Sequence, residues 1–349
     1  HHRGPTIPGM RPRTTPATPD AAQPRPQNFF SRHHGTMSDL QRPNRWLHRF
    51  AVATCCAALL PIVVGAIVTT MKWGMAFYDW PSSDGHGMFA YPWFGSTIDK
   101  FTEHGHRLAG ITIGCFSIVL AAWAWKSERR NWVCWLATGV LIGVIVQGLL
   151  GGGRVLADDP RMALLHGQFA ACVLALMGSV ALVTGRRWQH VSGQHPTPPS
   201  SRLKTLAWSL PAVLLIQGAL GGWIRHLGGG LFEHVGFALI VFALAVAAVV
   251  LALRDGAAWL KANAWVLAFV LLLQVGLGAG AWITRFGWPA SGYVAVQGAP
   301  WQVVTRTAHA VTGQLLLLAS VTLAIRVLRL DWLTRRELIA EMAVEGGLA

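Results

Sequence analysis

A long apolar segment begins with the run TEHGHRLAG, residues 102–110. On a helix, residues four apart lie on the same face, so Gly110 leaves open space one turn along from the ring of His106. The same pairing of a histidine with a small residue four positions later opens three more apolar segments: His166 with Ala170, His234 with Ala238, and His309 with Gly313. Repetition at four equivalent places favours one shared role for these histidines.

Composition assigns the chain to the membrane proteins. Of its 349 residues, 53% are hydrophobic and only 13% are charged, against about 25% charged in a soluble domain. A helix that crosses a bilayer needs about 20 mainly apolar residues. Eight segments meet that requirement: residues 49–72, 101–125, 131–153, 162–184, 203–224, 232–253, 262–283 and 304–328. We therefore expect an all-α membrane protein with about eight transmembrane helices.

The basic residues predict how these helices are oriented. They precede the first segment and follow each even one: Arg42, Arg45 and Arg49; Lys126, Arg129 and Arg130; Arg186, Arg187, Arg202 and Lys204; Arg254 and Lys261; Arg326, Arg329, Arg335 and Arg336. Because cytoplasmic loops carry the excess of Lys and Arg, we expect both termini to be cytoplasmic and the four histidines to lie toward the outer side. The net charge of +14 then indicates attraction to anionic membrane lipid, and no nucleic-acid partner is expected.

The first 45 residues are of a different kind. They are rich in proline and arginine and lack apolar periodicity, so we predict a disordered cytoplasmic segment at residues 1–45. Vector-derived or mis-annotated sequence with Met37 as the start is one interpretation of residues 1–36, and an organellar transit peptide is the other. Proline disfavours the amphipathic helix of a transit peptide. We therefore favour a bacterial plasma membrane over the mitochondrial inner membrane.

Three segments with odd numbers end alike. They carry QGLLG at residues 147–151, QGALG at 217–221 and QVGLG at 274–278, and each is followed by a histidine-bearing segment. This predicts two copies of a four-helix unit, related by a pseudo-two-fold axis along the membrane normal. We place the N-terminal bundle at residues 46–188, a cytoplasmic linker at 189–202, the C-terminal bundle at 203–330 and a cytoplasmic tail at 331–349.

Each copy then contains two histidines, which is the ligand number of a six-coordinate haem held by two imidazoles. A small residue one turn along from each histidine gives a flat macrocycle space to lie against the helix. Zinc is less favoured, because its sites use three or four ligands at closer spacing, often with cysteine or carboxylate. We therefore expect one haem iron in each copy.

Other polar residues near the histidines allow more than one interpretation. Three glutamines in the repeated motif are expected mainly to bond between helices: Gln147, Gln217 and Gln274. Four arginines near the same ends of the segments suit the carboxylates of haem propionates or the phosphates of lipid equally well: Arg107, Arg154, Arg225 and Arg285. The five cysteines, Cys55, Cys56, Cys115, Cys134 and Cys172, fall within the apolar segments, so packing roles and no disulfide framework are expected.

Glu103 lies three residues before His106 and shares its helical face. A carboxylate there is costly unless it is functional or paired, and an ion pair with an arginine at the interface is the plain alternative to a catalytic role. His104 points to another side of the helix and is predicted to be an interfacial polar residue. Glu233 stands directly before His234 and not three residues ahead, so we expect it to interact with the positive end of its helix dipole.

The run Glu103-x-x-His106-Arg107, a histidine in each even segment and the duplicated four-helix plan together resemble the haem A synthase family. The resemblance extends over residues 45–330. It implies oxidation of the methyl group at ring position C8 of haem O to a formyl group, giving haem A for terminal oxidases. One departure is the absence of a cysteine pair in an outer loop, which many bacterial members of the family have.

The resemblance also implies roles for individual residues. His106 and His166 would flank the iron of the substrate haem O, His234 and His309 would hold a permanent haem b, and Glu103 would be the catalytic residue beside the substrate. The implied partners are haem O, membrane lipid, a haem O synthase and an electron acceptor such as a quinone or a ferredoxin system.

Two other functions remain open. A quinol-linked cytochrome b with two histidines per haem would carry electrons without chemistry of its own, but it would gain from one haem near each membrane face. A haem transporter or insertion factor would share the ligands without a need for Glu103. The outer segment at residues 73–100 is rich in aromatic residues, and an interfacial belt is favoured there over a lid.

Overall fold

The computed structural model describes residues 1, 2, 4, 44–191, 198–255 and 257–346. These residues form α-helices, two short 3-10 turns at Trp93–Gly95 and Pro289–Ser291, and isolated β-bridges without a named strand. The helices are α1 (Arg45–Ala57), α2 (Leu59–Met71), α3 (Ile98–Ser127), α4 (Asn131–Ala157), α5 (Pro160–Thr184), α6 (Arg186–His190), α7 (Ser201–Leu227), α8 (Leu231–Arg254), α9 (Ala258–Phe286) and α10 (Pro300–Gly346). Three sequence predictions fall wholly or partly outside the described residues. They concern Met37 as the start, nearly all of the predicted disordered segment, and residues 192–197 of the predicted linker.

In the described part of the chain, eight spans are long and apolar enough to cross a membrane. They are α1 continued by α2, then α3, α4, α5, α7, α8, α9 and α10. Large apolar side chains such as Leu239, Phe269 and Leu272 are about two-thirds exposed on the outside of the protein, as expected for helices that face lipid. The prediction of an all-α, multi-pass membrane protein is confirmed.

Two spans differ in detail from the sequence prediction. The first span is broken, because α1 ends at Ala57 and α2 begins at Leu59, with Pro61 in its first turn. Proline has no N–H to donate. It is therefore tolerated in the first turn of a helix, whereas in the interior of a helix it removes a hydrogen bond and interrupts the helix. The last span was expected to end near residue 328, but α10 continues without a break to Gly346.

Short polar side chains begin several helices. Asn44 accepts hydrogen bonds from the N–H groups of Trp46 and Leu47, both at 3.1 Å. Asp159 accepts one from Arg161, with Pro160 at the first helical position. Such caps satisfy N–H groups that have no partner within the helix. In the tight turn between α7 and α8, Gly228 and Gly230 adopt positive φ angles of 78° and 77°, where a side chain is disfavoured.

Helix contacts fall into two groups. In the first, α3 contacts α1, α2 and α4, while α5 contacts α1 and α4. In the second, α7 contacts α8, α8 contacts α9, α9 contacts α10, and α10 contacts α7. The groups meet where α5 contacts α7 and α10, and where α2 contacts α10. The pseudo-two-fold relation and the predicted domain boundaries remain predictions.

Each group has its own apolar core. Leu47, Leu120, Val140, Leu174 and Met177 are buried together in the first. Leu203, Leu210, Leu260, Leu267 and Leu323 are buried together in the second. These cores fix the helices that carry the four histidines.

Candidate functional site

The structure brings the four histidines together as two pairs. The ring centroids of His106 on α3 and His166 on α5 lie 6.3 Å apart, with the rings at 83° to each other. Those of His234 on α8 and His309 on α10 lie 6.2 Å apart, at 81°. A metal ion lies about 2 Å from the imidazole nitrogen that binds it. When two imidazoles bind one ion from opposite sides, their ring centroids are therefore about 6.3 Å apart. Each pair therefore has the spacing of two imidazoles that bind one ion from opposite sides.

Backbone carbonyl groups orient the rings. The Nδ1 atoms of three histidines face carbonyl oxygens of the preceding helix: His106 and Pro61 at 2.9 Å, His166 and Gln147 at 3.2 Å, His309 and Gln274 at 3.1 Å. A carbonyl only accepts hydrogen bonds, so this contact assigns the proton to Nδ1 and leaves a lone pair on Nε2. Such a partner is typical of histidines that bind metals through Nε2.

A glycine lies against each ring. A Cβ atom added to that glycine would lie close to a Cε1 atom: 2.7 Å for Gly65 and His106, 2.9 Å for Gly151 and His166, 3.2 Å for Gly221 and His234, and 3.0 Å for Gly278 and His309. These distances are shorter than ordinary van der Waals contact. Glycine at these positions therefore gives each histidine ring room beside the neighbouring helix. The repeated motif pointed to three of them, and Gly65 was missed.

The glutamines of the repeated motif bond between helices. The side-chain amide nitrogen of Gln147 donates to the backbone carbonyl of His166, and that of Gln217 donates to the carbonyl of His234, both at 3.0 Å. The Oε1 atoms of Gln147, Gln217 and Gln274 are buried, and none has a partner among the described residues. Three amide oxygens beside the histidine pairs thus have acceptor capacity that the protein itself does not use.

The described residues contain no group of three or more His, Cys, Asp or Glu side chains placed to bind a metal ion. A histidine pair alone supplies too few ligands for a zinc site. It would supply the two protein ligands that a six-coordinate haem iron needs. The donor set, the ring spacing and the space at the glycines therefore fit haem better than a bare ion.

Glu103 is fully buried beside the first pair, with 1% of its surface exposed. Its Oε1 accepts a hydrogen bond from Arg107 at 3.0 Å, and its Oε2 accepts one from the backbone N–H of Ala76 at 2.8 Å. The ion pair anticipated as the alternative to a catalytic role is therefore present. It also fixes the carboxylate on the helix that carries His106.

Arg107 joins this carboxylate to the outer loop between α2 and α3. Its guanidinium donates to the backbone carbonyls of Asp79 and Ser82, at 3.0 and 2.7 Å. The predicted role of Arg107 as a partner of propionates stays a prediction, since most of its N–H groups already donate to oxygens of the protein.

The loop is further ordered by Asp79, whose carboxylate accepts hydrogen bonds from the backbone N–H groups of Asp84 and Gly85. Desolvation raises the pKa of Asp79 and these bonds lower it, with a net lowering.

His104 is buried rather than interfacial, with 1% of its surface exposed. Its Nδ1 lies 3.1 Å from the hydroxyl of Ser83, and its ring packs against Phe77 and Tyr91. Phe77 is fully buried, while Tyr78 is 78% exposed. The aromatic residues of the loop therefore divide between a packed inner layer beside α3 and an outer surface.

Replacing Arg107 by methionine should loosen this loop. The substitution removes the donors to Asp79 and Ser82 and leaves Glu103 as an unpaired buried charge, which costs about 3–5 kcal/mol in comparable cases. We expect cleavage of the loop by an added protease to become at least several-fold faster. Lys100→Met is the control, because the Lys100–Asp84 pair is partly exposed and exposed ion pairs contribute little to stability. Equal cleavage rates in the two variants would contradict the role of Arg107.

The other three predicted arginines bind backbone or side-chain oxygens at the same ends of the helices. Arg154 donates to the carbonyl of Gly74 at 2.9 Å. Arg225 donates to the carbonyls of Ala66 at 3.1 Å and Arg306 at 3.2 Å, and so links α7 to α2 and α10. Arg285 donates to the side-chain oxygen of Gln297 at 2.7 Å.

Parts of the chain are similar in sequence to known proteins. A family model described as "Cytochrome oxidase assembly protein" matches residues 94–235. The haem A synthase of Symbiobacterium thermophilum is 31% identical over 196 residues, which are 53% of this chain and 61% of that protein. Residues 94–235 are thus similar to a family of cytochrome oxidase assembly proteins, and the chain is similar in part to haem A synthases. The segment that matches the family contains Glu103, His106, His166 and His234, whereas His309 lies beyond it.

Two further haem A synthases are similar. That of Alkalihalophilus pseudofirmus is 31% identical over 138 residues, 39% of this chain and 44% of that protein. That of Halalkalibacterium halodurans is 30% identical over 165 residues, 46% of this chain and 52% of that protein. The matched regions thus span less than two-thirds of the length of each of these relatives.

Proposed function

We propose that this chain is a haem A synthase, which oxidises the C8 methyl group of haem O to a formyl group and so produces haem A. The observation that carries the proposal is the pair of sites, each with two histidines at a spacing that would let both bind one haem iron. The partial similarity to cytochrome oxidase assembly proteins and haem A synthases and the carboxylate beside only one of the sites support it.

The substrate haem O would lie between His106 and His166, because Glu103 is three residues from His106 on the same face of α3. Conversion of a methyl to a formyl group with water as the oxygen source releases four electrons and four protons. A negative charge held next to that carbon stabilises positive charge that develops there, and such preorganised electrostatics is often the largest contribution to catalysis. The bonds from Arg107 and Ala76 hold the Glu103 carboxylate in place for this role.

His234 and His309 would hold a resident haem b, and the ring spacing and the glycines at positions 221 and 278 fit it. When bound, haem b supplies one-electron transfer. The electrons would leave to an acceptor such as a quinone or a ferredoxin system, and a haem O synthase would supply the substrate. We also propose a bacterial plasma membrane, cytoplasmic termini and haem sites toward the outer side, on the distribution of basic residues.

A cytochrome b that only carries electrons is the second candidate, because the two histidine pairs are almost identical in geometry. Haem extraction after co-expression with a haem O source separates the two functions. We expect the purified protein to contain haem b together with haem O, an intermediate or haem A. Two molecules of haem b per chain, with no haem O or haem A, would overturn the proposed synthase and favour the carrier.

A further inference from the structure

The structure allows the two histidine sites to be compared position by position. The ring of His166 packs on Gly151 of the QGLLG motif, and the ring of His309 packs on Gly278 of the QVGLG motif. Counted by span, His106 and His234 lie on the second span of each half, and His166 and His309 lie on the fourth. These are the corresponding histidines. Three residues before each histidine, the N-terminal site has Glu103 and Ala163, whereas the C-terminal site has Leu231 and Arg306. The C-terminal site therefore has an apolar residue in place of the carboxylate, and it has an arginine where the N-terminal site has alanine.

Arg306 lies on the same face of α10 as His309, one turn away. It is half-buried, and no hydrogen bond or ion pair from its guanidinium is found among the described residues. Arg225 donates a hydrogen bond to the backbone carbonyl of Arg306 at 3.2 Å, and the like charges of Arg225 and Arg285 act on Arg306 at close range. No carboxylate in the described part of the chain forms an ion pair with any of these three arginines.

The N-terminal site has a different balance of charge. There the charge of Arg107 is paired with Glu103, and Arg154 donates to the carbonyl of Gly74. In the C-terminal site, Glu233 is the nearest acidic residue in sequence to a histidine, and its side chain is exposed. Grouping like charges away from water is unfavourable unless an anion joins them. Planar guanidinium groups bind carboxylates especially well.

We propose that Arg306, together with Arg225 and Arg285, forms a carboxylate-binding subsite for the ligand held between His234 and His309, and makes the iron of this site the more easily reduced of the two. This inference rests on the proposed function, since it takes a haem with its propionates as the ligand. Binding follows from charge complementarity. The shift in potential follows because nearby positive charge disfavours the ferric form, which carries one more positive charge than the ferrous form.

The test uses the full chain purified with its haems. Compared with the unchanged protein, the Arg306→Gln variant should have a lower midpoint potential of the haem b. Its haem b should also pass about tenfold faster to a haem-scavenging protein. Arg306→Lys keeps the positive charge, so its midpoint potential should stay close to that of the unchanged protein. Lysine lacks the planar guanidinium group, so this variant should release haem faster. Arg161→Gln is the matched control, because Arg161 is an exposed arginine near the start of the histidine-bearing α5, in the other site.

An unchanged potential and an unchanged transfer rate in Arg306→Gln would overturn this inference while leaving the synthase proposal intact. A fall of equal size in Arg161→Gln would also overturn it, because the effect would then reflect net charge and not the subsite. Absence of haem b from the unchanged protein, after expression with an adequate haem supply, would instead overturn the proposed function.

Discussion

Replacing Glu103 by glutamine should lower the rate of haem A formation by about 10²–10³-fold, while haem b remains bound at His234 and His309. Glutamine has nearly the same shape and still offers one oxygen to Ala76, but it carries no negative charge. If Glu103 acts by stabilising positive charge at the methyl carbon, the loss of that charge removes the effect. Chromatography of the haems extracted after co-expression with a haem O source measures the conversion.

The ion pair with Arg107 provides a second explanation that the experiment must separate. Because Arg107 becomes a buried cation without its partner in Glu103→Gln, the loop between α2 and α3 is also weakened. Glu103→Asp keeps the charge and shortens the side chain by one methylene, so it should retain more conversion than Glu103→Gln. Glu103→Gln/Arg107→Gln removes both charges. A purely structural role predicts that this double variant recovers conversion, whereas the catalytic role predicts that it stays inactive.

Glu233→Gln is the matched control. Glu233 also lies beside a histidine at the start of a helix, but its side chain is exposed. We expect full conversion in this variant. Full conversion in Glu103→Gln as well would contradict the catalytic role proposed for Glu103.

The spans are predictable because a long apolar run has the length that a membrane helix needs. The positions where a helix breaks or continues beyond the apolar run are harder to predict. Ala58 and Pro61 sit within one apolar segment, yet proline at the first turn of α2 separates it from α1. At the other end of the chain, residues 331–346 are too polar to be recognised as a span, but they continue α10 because nothing in that sequence stops a helix.

The same proline explains why one quarter of the site was missed. Pro61 and Gly65 have the spacing of Gln147 and Gly151, and they contact His106 as those residues contact His166. The repeat is recognisable in the sequence by its glutamine, whereas His106 requires only a backbone carbonyl and a glycine. Every residue has a backbone carbonyl that can accept a hydrogen bond, so a glycine four residues after an unspecified residue is too common a pattern to indicate a site.

Contacts between the loop and α3 were beyond prediction for a different reason. The position of His104 relative to Ser83 depends on the path of a loop without periodicity, and no local pattern encodes that path. Glu103 illustrates the intermediate case. Its helical face and its cost in a membrane pointed to an interaction, but only the structure shows that Arg107 and the N–H of Ala76 hold it.

Replacing Gly278 by valine should abolish haem binding at the C-terminal histidine pair. A Cβ atom at this position lies 3.0 Å from Cε1 and 3.4 Å from Nδ1 of His309, and valine adds two more methyl groups. The ring must move by several tenths of an ångström or more, whereas ligand distances at metal sites vary by about 0.2 Å. We expect haem b to be lost from the purified protein, as measured by its haem content and absorption spectrum.

The repeated motif contains its own control. Gly276 lies two residues earlier on α9, and no atom is within 4 Å of a Cβ placed there, so Gly276→Val should keep haem b. The same comparison at the other site pairs Gly151→Val, which displaces His166, with Gly148→Val, which meets open space. If the histidine pairs bind separate haems, Gly278→Val removes haem b alone and Gly151→Val removes the substrate haem alone. Haem loss that is equal in all four variants would mean that bulk in these helices, and not the position of the histidine ring, decides binding.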